Sequence, residues 1–478
     1  MLTVGQPATA RPIPPGFLGL SIEYSAIPAY AGTNPKAIDP VFVQLIRNLA
    51  PGQAPALRIG GDTTDWTWWP VPRMPTPAGV SASLTPSWTA VTRALTTATK
   101  ARLTLGINFE ADSATVAATE AKQLISGLGR SHIEALELGN EPELYRTFPW
   151  GPSGRPGRPH DYDFAAFNRD FTRIARALPE VPLAGPAVGG PRWFRHVGRF
   201  LADHRQVAVT TLHRYPLQLC FVLADRPKYP TIPNLLASRS SRALADSVAA
   251  AVRASHARHI PVRIDEMNTI GCGIDQAVGE SFASALWALD ALFNMARVGV
   301  DGVNISTFPG ATDELFTFSQ TDGQWQGQVM PEYYGLDMFA QAAPAGSRLL
   351  TVSPNGPRAV RAWATRAPDG TIRAVLINEG AKSRALRVRL PPGAGPGTSG
   401  GPSGGTAPAT RSGTGTLEYL SAPSVSAGTD VTLGGQTFGA TTGRLTGART
   451  TYEMSPRHGQ YTLTLPAGSA AMLTVPRS

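Results

Sequence analysis

The sequence predicts an α/β protein: a (β/α)8 TIM barrel with a C-terminal β-sandwich domain. Three observations predict it. Over residues 13–345, eight short apolar runs alternate with segments of helical periodicity, the grammar of a parallel α/β architecture. From 346 to 478 helices disappear, and the apolar runs alternate with polar residues at period two, as strands of a sandwich do. Finally, the fourth and seventh barrel runs each deliver a glutamate, Glu141 and Glu266, at the end where such barrels keep their chemistry. A doubly wound sheet would want a glycine-rich phosphate turn after its first strand, and Gly19 and Gly60-Gly61 do not make one.

Residues 1–12 read as a short strand and a proline-rich linker. A lone strand outside the barrel needs an edge, so it is expected to join the sandwich. The barrel strands are then expected at 17–23, 56–60, 103–109, 133–138, 183–186, 207–213, 261–265 and 302–306. Helices are expected over 37–49, 87–100, 113–128, 164–178, 193–203, 235–256 and 281–298, with a last one from Pro331. Asp39-Pro40 supplies both an N-cap and a proline at the first helical position. Sandwich strands are expected at 360–365, 372–377, 385–390, 431–433 and 461–465. The Gly/Pro/Ser/Thr-rich tract 391–415 cannot bury enough surface to order itself and reads as a flexible, exposed loop.

With 478 residues, 42% apolar and 16% charged, the chain has the composition of a soluble globular protein of two or three domains. No run of about 18 uncharged apolar residues suggests a membrane span. The formal charge of +9 comes from an arginine-biased composition, and no Lys/Arg run is dense enough for nucleic-acid binding. The N-terminus lacks the features of a secretory leader, so the protein either stays inside the cell or is secreted with a leader absent from this sequence. Two cysteines exclude a disulfide scaffold and a thiolate metal site. Cys220 and Cys272 follow the sixth and seventh strands, whose loops are neighbours, so they are expected either to form a bridge or to remain free thiols.

Cleaving a glycosidic bond takes one carboxylic acid to protonate the leaving oxygen and one carboxylate to attack or to activate water. Asn140-Glu141-Pro142 ends the fourth strand in a proline-stopped turn, and Asp265-Glu266-Met267-Asn268 ends the seventh. Either alone would pass as a surface turn, but together they form a candidate pair across one barrel mouth. These segments, with Phe17 to Tyr24, Leu57 to Asp62, His213-Arg214-Tyr215-Pro216 and Leu465 to Thr474, resemble glycoside hydrolase family 79 over nearly the whole chain.

That family of β-glucuronidases and heparanases pairs a barrel with a sandwich completed by an N-terminal strand. The resemblance implies a retaining exo-acting hydrolase of β-D-glucuronides or 4-O-methylglucuronides, with Glu141 as acid/base and Glu266 as nucleophile. It implies that Asn140 binds the sugar 2-hydroxyl and that Tyr215 orients the nucleophile. Glu23 is expected either to face a distal hydroxyl or to be a strand-end charge paired with Arg58. His213 is equally readable as a structural histidine or a site residue. Asp62 and Asn108 are further candidate hydroxyl ligands.

The C5 carboxylate is expected to meet backbone amides of the loop Asn268 to Gly273, Gly273 above all, because glycine lets a ligand approach the backbone. Two positions depart from the family pattern: 271 is glycine, and Phe308 to Phe316 contains no tyrosine. Trp66, Trp68 and Trp69 form either a sugar-stacking platform or rim packing. No cofactor or metal is implied, and the partner is a carbohydrate, uronic-acid-containing in this reading. Two alternatives remain: endo-cleavage of a sulfated glycosaminoglycan, and a catalytically silent carbohydrate-binding protein on the same fold.

Overall fold

The computed structural model describes residues 1–9, 11–353, 359–391 and 413–477. Of the tract expected to be a flexible loop, residues 392–412 therefore lie outside the described residues.

Eight parallel strands close a barrel in sequence order: Leu18–Glu23, Ala56–Gly60, Arg102–Ile107, Ile133–Leu138, Leu183–Val188, Val207–Arg214, Val262–Met267 and Gly302–Thr307. The eighth pairs with the first, Val303 opposite Leu18, which abolishes any free edge. These strands are near-continuous apolar runs because helices cover the outside while side chains fill the inside. The predicted barrel and sheet domain are thus both borne out.

Helix starts follow their caps. Asp39 accepts the Val41 amide at 2.7 Å ahead of helix Pro40–Asn48. Thr85, Ser113 and Asp163 do the same for Pro86–Thr99, Ala114–Leu128 and Phe164–Ala175. The helix expected over 235–256 is instead broken into Ile232–Leu235, a π turn at Arg239–Ala243, Leu244–Asp246 and Ala249–His256. Ser240 lies in the π turn at the break: its hydroxyl returns to the Asn234 carbonyl at 2.6 Å, and its own carbonyl accepts the buried Trp287 indole at 2.7 Å. The helix expected over 193–203 likewise splits into Pro191–Phe194 and Val197–Asp203. A hairpin, Phe316–Thr321 with Gln324–Val329, lies between the eighth strand and helix Pro331–Ala342, where alternation was too weak to read.

The C-terminal strands form a ten-stranded sheet folded over on itself. Leu386, Val388, Leu463 and Leu465 of one layer share a core with Ala374, Leu376, Ala471 and Leu473 of the other. Leu2–Pro7 joins the layers, pairing antiparallel with Arg348–Val352 and parallel with Arg384–Arg389 across a register break between Val4 and Pro7. The opposite face, with Val375, Ile377, Ala470 and Met472, packs into the barrel's core. Trp363 pins that contact, stacking on Phe293 at 5.5 Å and donating its indole N–H to Asp290 at 2.7 Å. No helix among the described residues is long and apolar enough to cross a membrane.

Cys220 and Cys272 are joined by a disulfide with a sequence separation of 52, which ties the loops after the sixth and seventh strands. Closing a loop of that length removes chain entropy worth on the order of 4 kcal/mol from the unfolded state. Thiol titration of the folded, non-reduced protein should find no free sulfhydryl, and reduction should lower Tm by several degrees; two titratable thiols would contradict the bridge.

Candidate active site

At the C-terminal mouth of the barrel, the strands place charged side chains inward between outward-facing apolar ones. Leu57 and Ile59 face the helices and Arg58 faces the axis; Leu136 and Leu138 face out and Glu137 in. Arg58 has no exposed surface. Its Nε donates to Glu137 Oε2 at 2.7 Å and lies 3.3 Å from Asp265 Oδ2. Nη1 donates to Glu266 Oε2 at 2.6 Å and Nη2 to Asn140 Oδ1 at 2.8 Å. One guanidinium thus fixes side chains from the fourth and seventh strands against the second, using the forked geometry that arginine alone offers.

Glu266 lies within the seventh strand rather than beyond it, just past a register break between Ile264 and Glu266. Burial alone would raise its pKa, but His213, Arg58 and the Tyr215 hydroxyl, which donates to Oε1 at 2.9 Å, hold it below the ordinary glutamate value. Glu266 is therefore ionised at neutral pH. Glu141 occupies the left-handed region at φ 48°, a conformation that costs an ordinary L-residue of order 1–3 kcal/mol and concentrates at functional sites. Its amide is anchored to Ala187 O at 2.9 Å, and a Cβ on Gly189 would overlap its Oε1.

His213 bridges the pair: Nδ1 is 3.0 Å from Glu141 Oε1 and 3.8 Å from Glu266 Oε2. An oxygen of each glutamate lies within 4.8 Å of the other. Burial would lower the His213 pKa, but Glu266, Asp265 and the Glu141 hydrogen bond outweigh it and raise it to about 10, so the imidazole is cationic at neutral pH. Asp265 is pushed well above the ordinary range by burial and by Glu137, whereas Glu137 is lowered, burial being outweighed by Arg58. The buried floor then balances two cations, Arg58 and His213, against two carboxylates, Glu137 and Glu266. Glu137, His213 and Asp265, and Glu141, His213 and Glu266, have metal-ligand spacing. In both sets Arg58, bonded to Glu137 and Glu266, already fills the cation's place.

Other candidates fall around this floor. Asn140 donates its amide to Asp62 Oδ1 at 3.1 Å. Glu23 is bound by the Thr63 hydroxyl, the Thr63 amide at 2.8 Å and the Asp62 amide at 3.1 Å, so its direct partner is the Thr63 turn and not Arg58. Asn108 is corrected from ligand to scaffold: fully buried, it donates to Asp65 O and Thr67 O at 2.8 Å and accepts the Ala111 amide at 3.0 Å, leaving nothing for a sugar.

Trp68 also serves packing, in a satellite core with Val80 and Val116. The expected carboxylate cradle changes as well. The Thr269 amide goes to Asn268 Oδ1 at 2.6 Å, Ile270 to Asp313 Oδ2 at 3.1 Å and Gly271 to Leu217 O at 3.0 Å. Gly273, at φ 86°, packs against Leu219 on the rim.

Asp65 and Glu143 escaped sequence reasoning. Asp65 accepts the amides of Phe109, Glu110 and Asn140 and the Tyr145 hydroxyl at 2.6 Å, tying three loops together. Glu143 holds the loop after the fifth strand through the amides of Gly189, at 2.6 Å, and Gly190.

Barrel, carboxylate pair and appended sheet define the class: a glycoside hydrolase. Residues 362–472 match the glycosyl hydrolase family 79 C-terminal beta domain, which bears out the resemblance to that family. No curated protein sequence matches. Among solved structures, the chain is similar to a 4-O-alpha-L-rhamnosyl-beta-D-glucuronidase from Fusarium oxysporum 12S, at TM-score 0.73 and 18% identity over 99% of this chain and 100% of that one. A family 51 arabinofuranosidase from Xanthomonas axonopodis pv. citri aligns at TM-score 0.67 and 15% identity over 99% of each chain. A family 44 endoglucanase from Clostridium thermocellum aligns at 0.58 and 13%, again over 99% of each. At these identities the likenesses speak for the fold.

Removing Arg58 strands buried carboxylates, so Arg58→Met should cost about 3–5 kcal/mol in denaturant unfolding; a loss under about 1 kcal/mol would contradict its central place. Stability should also fall between pH 6.5 and 9. Burial and, for Glu110, Asp65 raise Glu23 and Glu143 to about 7 and Glu110 to about 9, and His213 stands near 10. In that window the folded chain binds more protons than the unfolded one, so each rise in pH favours unfolding. His204, lowered by burial to about 4, acts only below 6.5. Tm flat or rising from pH 6.5 to 9 would contradict these assignments.

Proposed function

We propose that the protein is a retaining, exo-acting hydrolase of β-D-glucuronides or their 4-O-methyl ethers. The observation that carries the retaining mechanism is the approach of Glu141 and Glu266 oxygens within 4.8 Å. Carboxyls about 5–5.5 Å apart suit double displacement, whereas inversion needs about 6.5–9.5 Å to admit water between acid and base.

In this reading Glu266, ionised and oriented by Arg58 and Tyr215, attacks the anomeric carbon while Glu141 protonates the departing oxygen. Glu141 then takes a proton from the water that releases the glycosyl-enzyme. Asn140, held by Arg58 and Asp62, faces the 2-hydroxyl, where a hydrogen bond strengthens as charge develops. Glu23 and Asp62 line the glycon side and present acceptors to distal hydroxyls, which supports action at a chain end. Uronate preference is supported by the family 79 match and by the name of the Fusarium relative. The amides of residues 269–271 are engaged within the protein, and in this reading Gly273 offers its amide to the carboxylate. Arg158 argues against a basic endo-acting cleft: it is buried, spent on the Phe109 and Glu110 carbonyls at 2.9 and 2.7 Å.

Release of 4-nitrophenol from its β-glucuronide tests the roles. Glu266→Ala should remove turnover to the detection limit. Glu141→Ala should lose about 10²–10⁴-fold on substrates with poor leaving groups and less on 4-nitrophenyl, which needs little protonation. Full activity in either variant would exclude that residue. Aryl β-glycosides differing only at C6, as uronate, hydroxymethyl or hydrogen, test the glycon; equal kcat/KM for all three would refute uronate preference.

A further inference from the structure

Beside Glu141, on the side away from Arg58, lies a cation without a counterion. Arg214 ends the sixth strand and is only 8% exposed. Its Nε has no hydrogen-bond partner, and Nη1 reaches the Gly189 carbonyl at a long 3.4 Å. The guanidinium carbon lies over the Phe194 ring at 5.7 Å. Among the described residues, no acidic side chain forms an ion pair with it. The acid whose field it feels is Glu141, which cannot serve as a standing counterion because catalysis requires it to alternate between neutral and charged forms. A second cation, Lys228, stands close enough to feel Arg214, its segment tied by the Gln218 amide to Lys228 O at 3.0 Å.

Burying a guanidinium without an anion costs several kcal/mol, which a fold tolerates where a ligand supplies the missing charge. The position says which part of the ligand. Glu23, Asp62, Asn140 and Arg58 gather on the side of the first, second and fourth strands, where the glycon rests in the reading above. Gly189, just after the fifth strand, accepts Arg214 at its carbonyl and has no room for a Cβ beside Glu141 Oε1, so guanidinium and acid flank one residue. Glu141 protonates the departing oxygen in the reading above, so Arg214, across Glu141 from Arg58, neighbours the departing group rather than the glycon. Phe148 and Phe221 meet edge-to-face at 5.4 Å on the loops after the fourth and sixth strands, the loops that follow Glu141 and Arg214 in the chain.

We propose that Arg214 is the anion receptor of a leaving-group subsite, so that the preferred substrate carries a carboxylate on its aglycone near the scissile oxygen. This rests on Glu141 being the acid/base. The test compares the β-glucuronides of 4-hydroxybenzoate and of its methyl ester, which differ at the aglycone by one charge. Wild-type kcat/KM should favour the acid by about tenfold or more, through KM, since a charged hydrogen bond contributes about that much. In Arg214→Gln the ratio should fall towards one, and in Arg214→Lys part of it should return.

Equal rates for the two substrates in the wild type, or an unchanged ratio in Arg214→Gln, would overturn the proposal. Hydrolysis of neither by the wild type would instead count against the glutamate pair. Titration calorimetry with free 4-hydroxybenzoate and its methyl ester then decides Arg214 without turnover: tighter binding of the acid, lost in Arg214→Gln, supports the receptor, and equal binding refutes it.

Discussion

Everything at the mouth of this barrel depends on burying one guanidinium. Arg58 is enclosed between strands, and the cost of desolvating it is met because Glu137, Glu266 and Asn140 converge on it with Asp265 behind them. The requirement works in both directions. The arginine needs its acids in place, and the acids cannot remain dry without the arginine, so the second, fourth and seventh strands are locked in one mutual register. That is the precision the proposed displacement needs, since reacting groups misplaced by an ångström lose orders of magnitude.

The same arrangement separates the two glutamates chemically. Glu266 is surrounded by donors: Arg58, His213 and Tyr215 all bear on it. Glu141 stands on a strained turn, supported from the fifth strand by Ala187 and Gly189 and touched by His213 alone among those three. Environments that differ this much across one sugar-sized gap allow two residues of identical chemistry to take different parts. The cationic His213 belongs to both environments, which makes its protonation a property of the pair.

Much of this was legible in the sequence. Alternating apolar runs gave the barrel, and Asp39-Pro40 and its analogues gave the helix starts. The glutamates stood out because each ends an apolar run. Arg58, Glu137 and Asp265 were equally available as charged residues inside strands that must be buried, and a buried charge requires a partner. What the sequence did not say was which charge meets which, because the partners come from strands up to 208 positions apart. Asn108 looked like Asn140, since both are asparagines after barrel strands; only the location of backbone carbonyls separates a scaffold amide from a site amide. The broken helix at Ser240 was hidden because a partner of that turn, the Trp287 indole, lies 47 residues away.

The strand Leu2–Pro7 gives the C-terminal domain a dependence that its position in the chain conceals. Because this strand carries the hydrogen bonding from one layer to the next, residues 346–478 on their own would have an open seam through the middle, with Leu350 and Val388 uncovered. The domain is therefore separate in architecture but not in folding. A chain emerging from the ribosome can assemble the barrel as it is made, whereas the sandwich must wait for Arg348–Val352 and Arg384–Arg389 to return to the first strand.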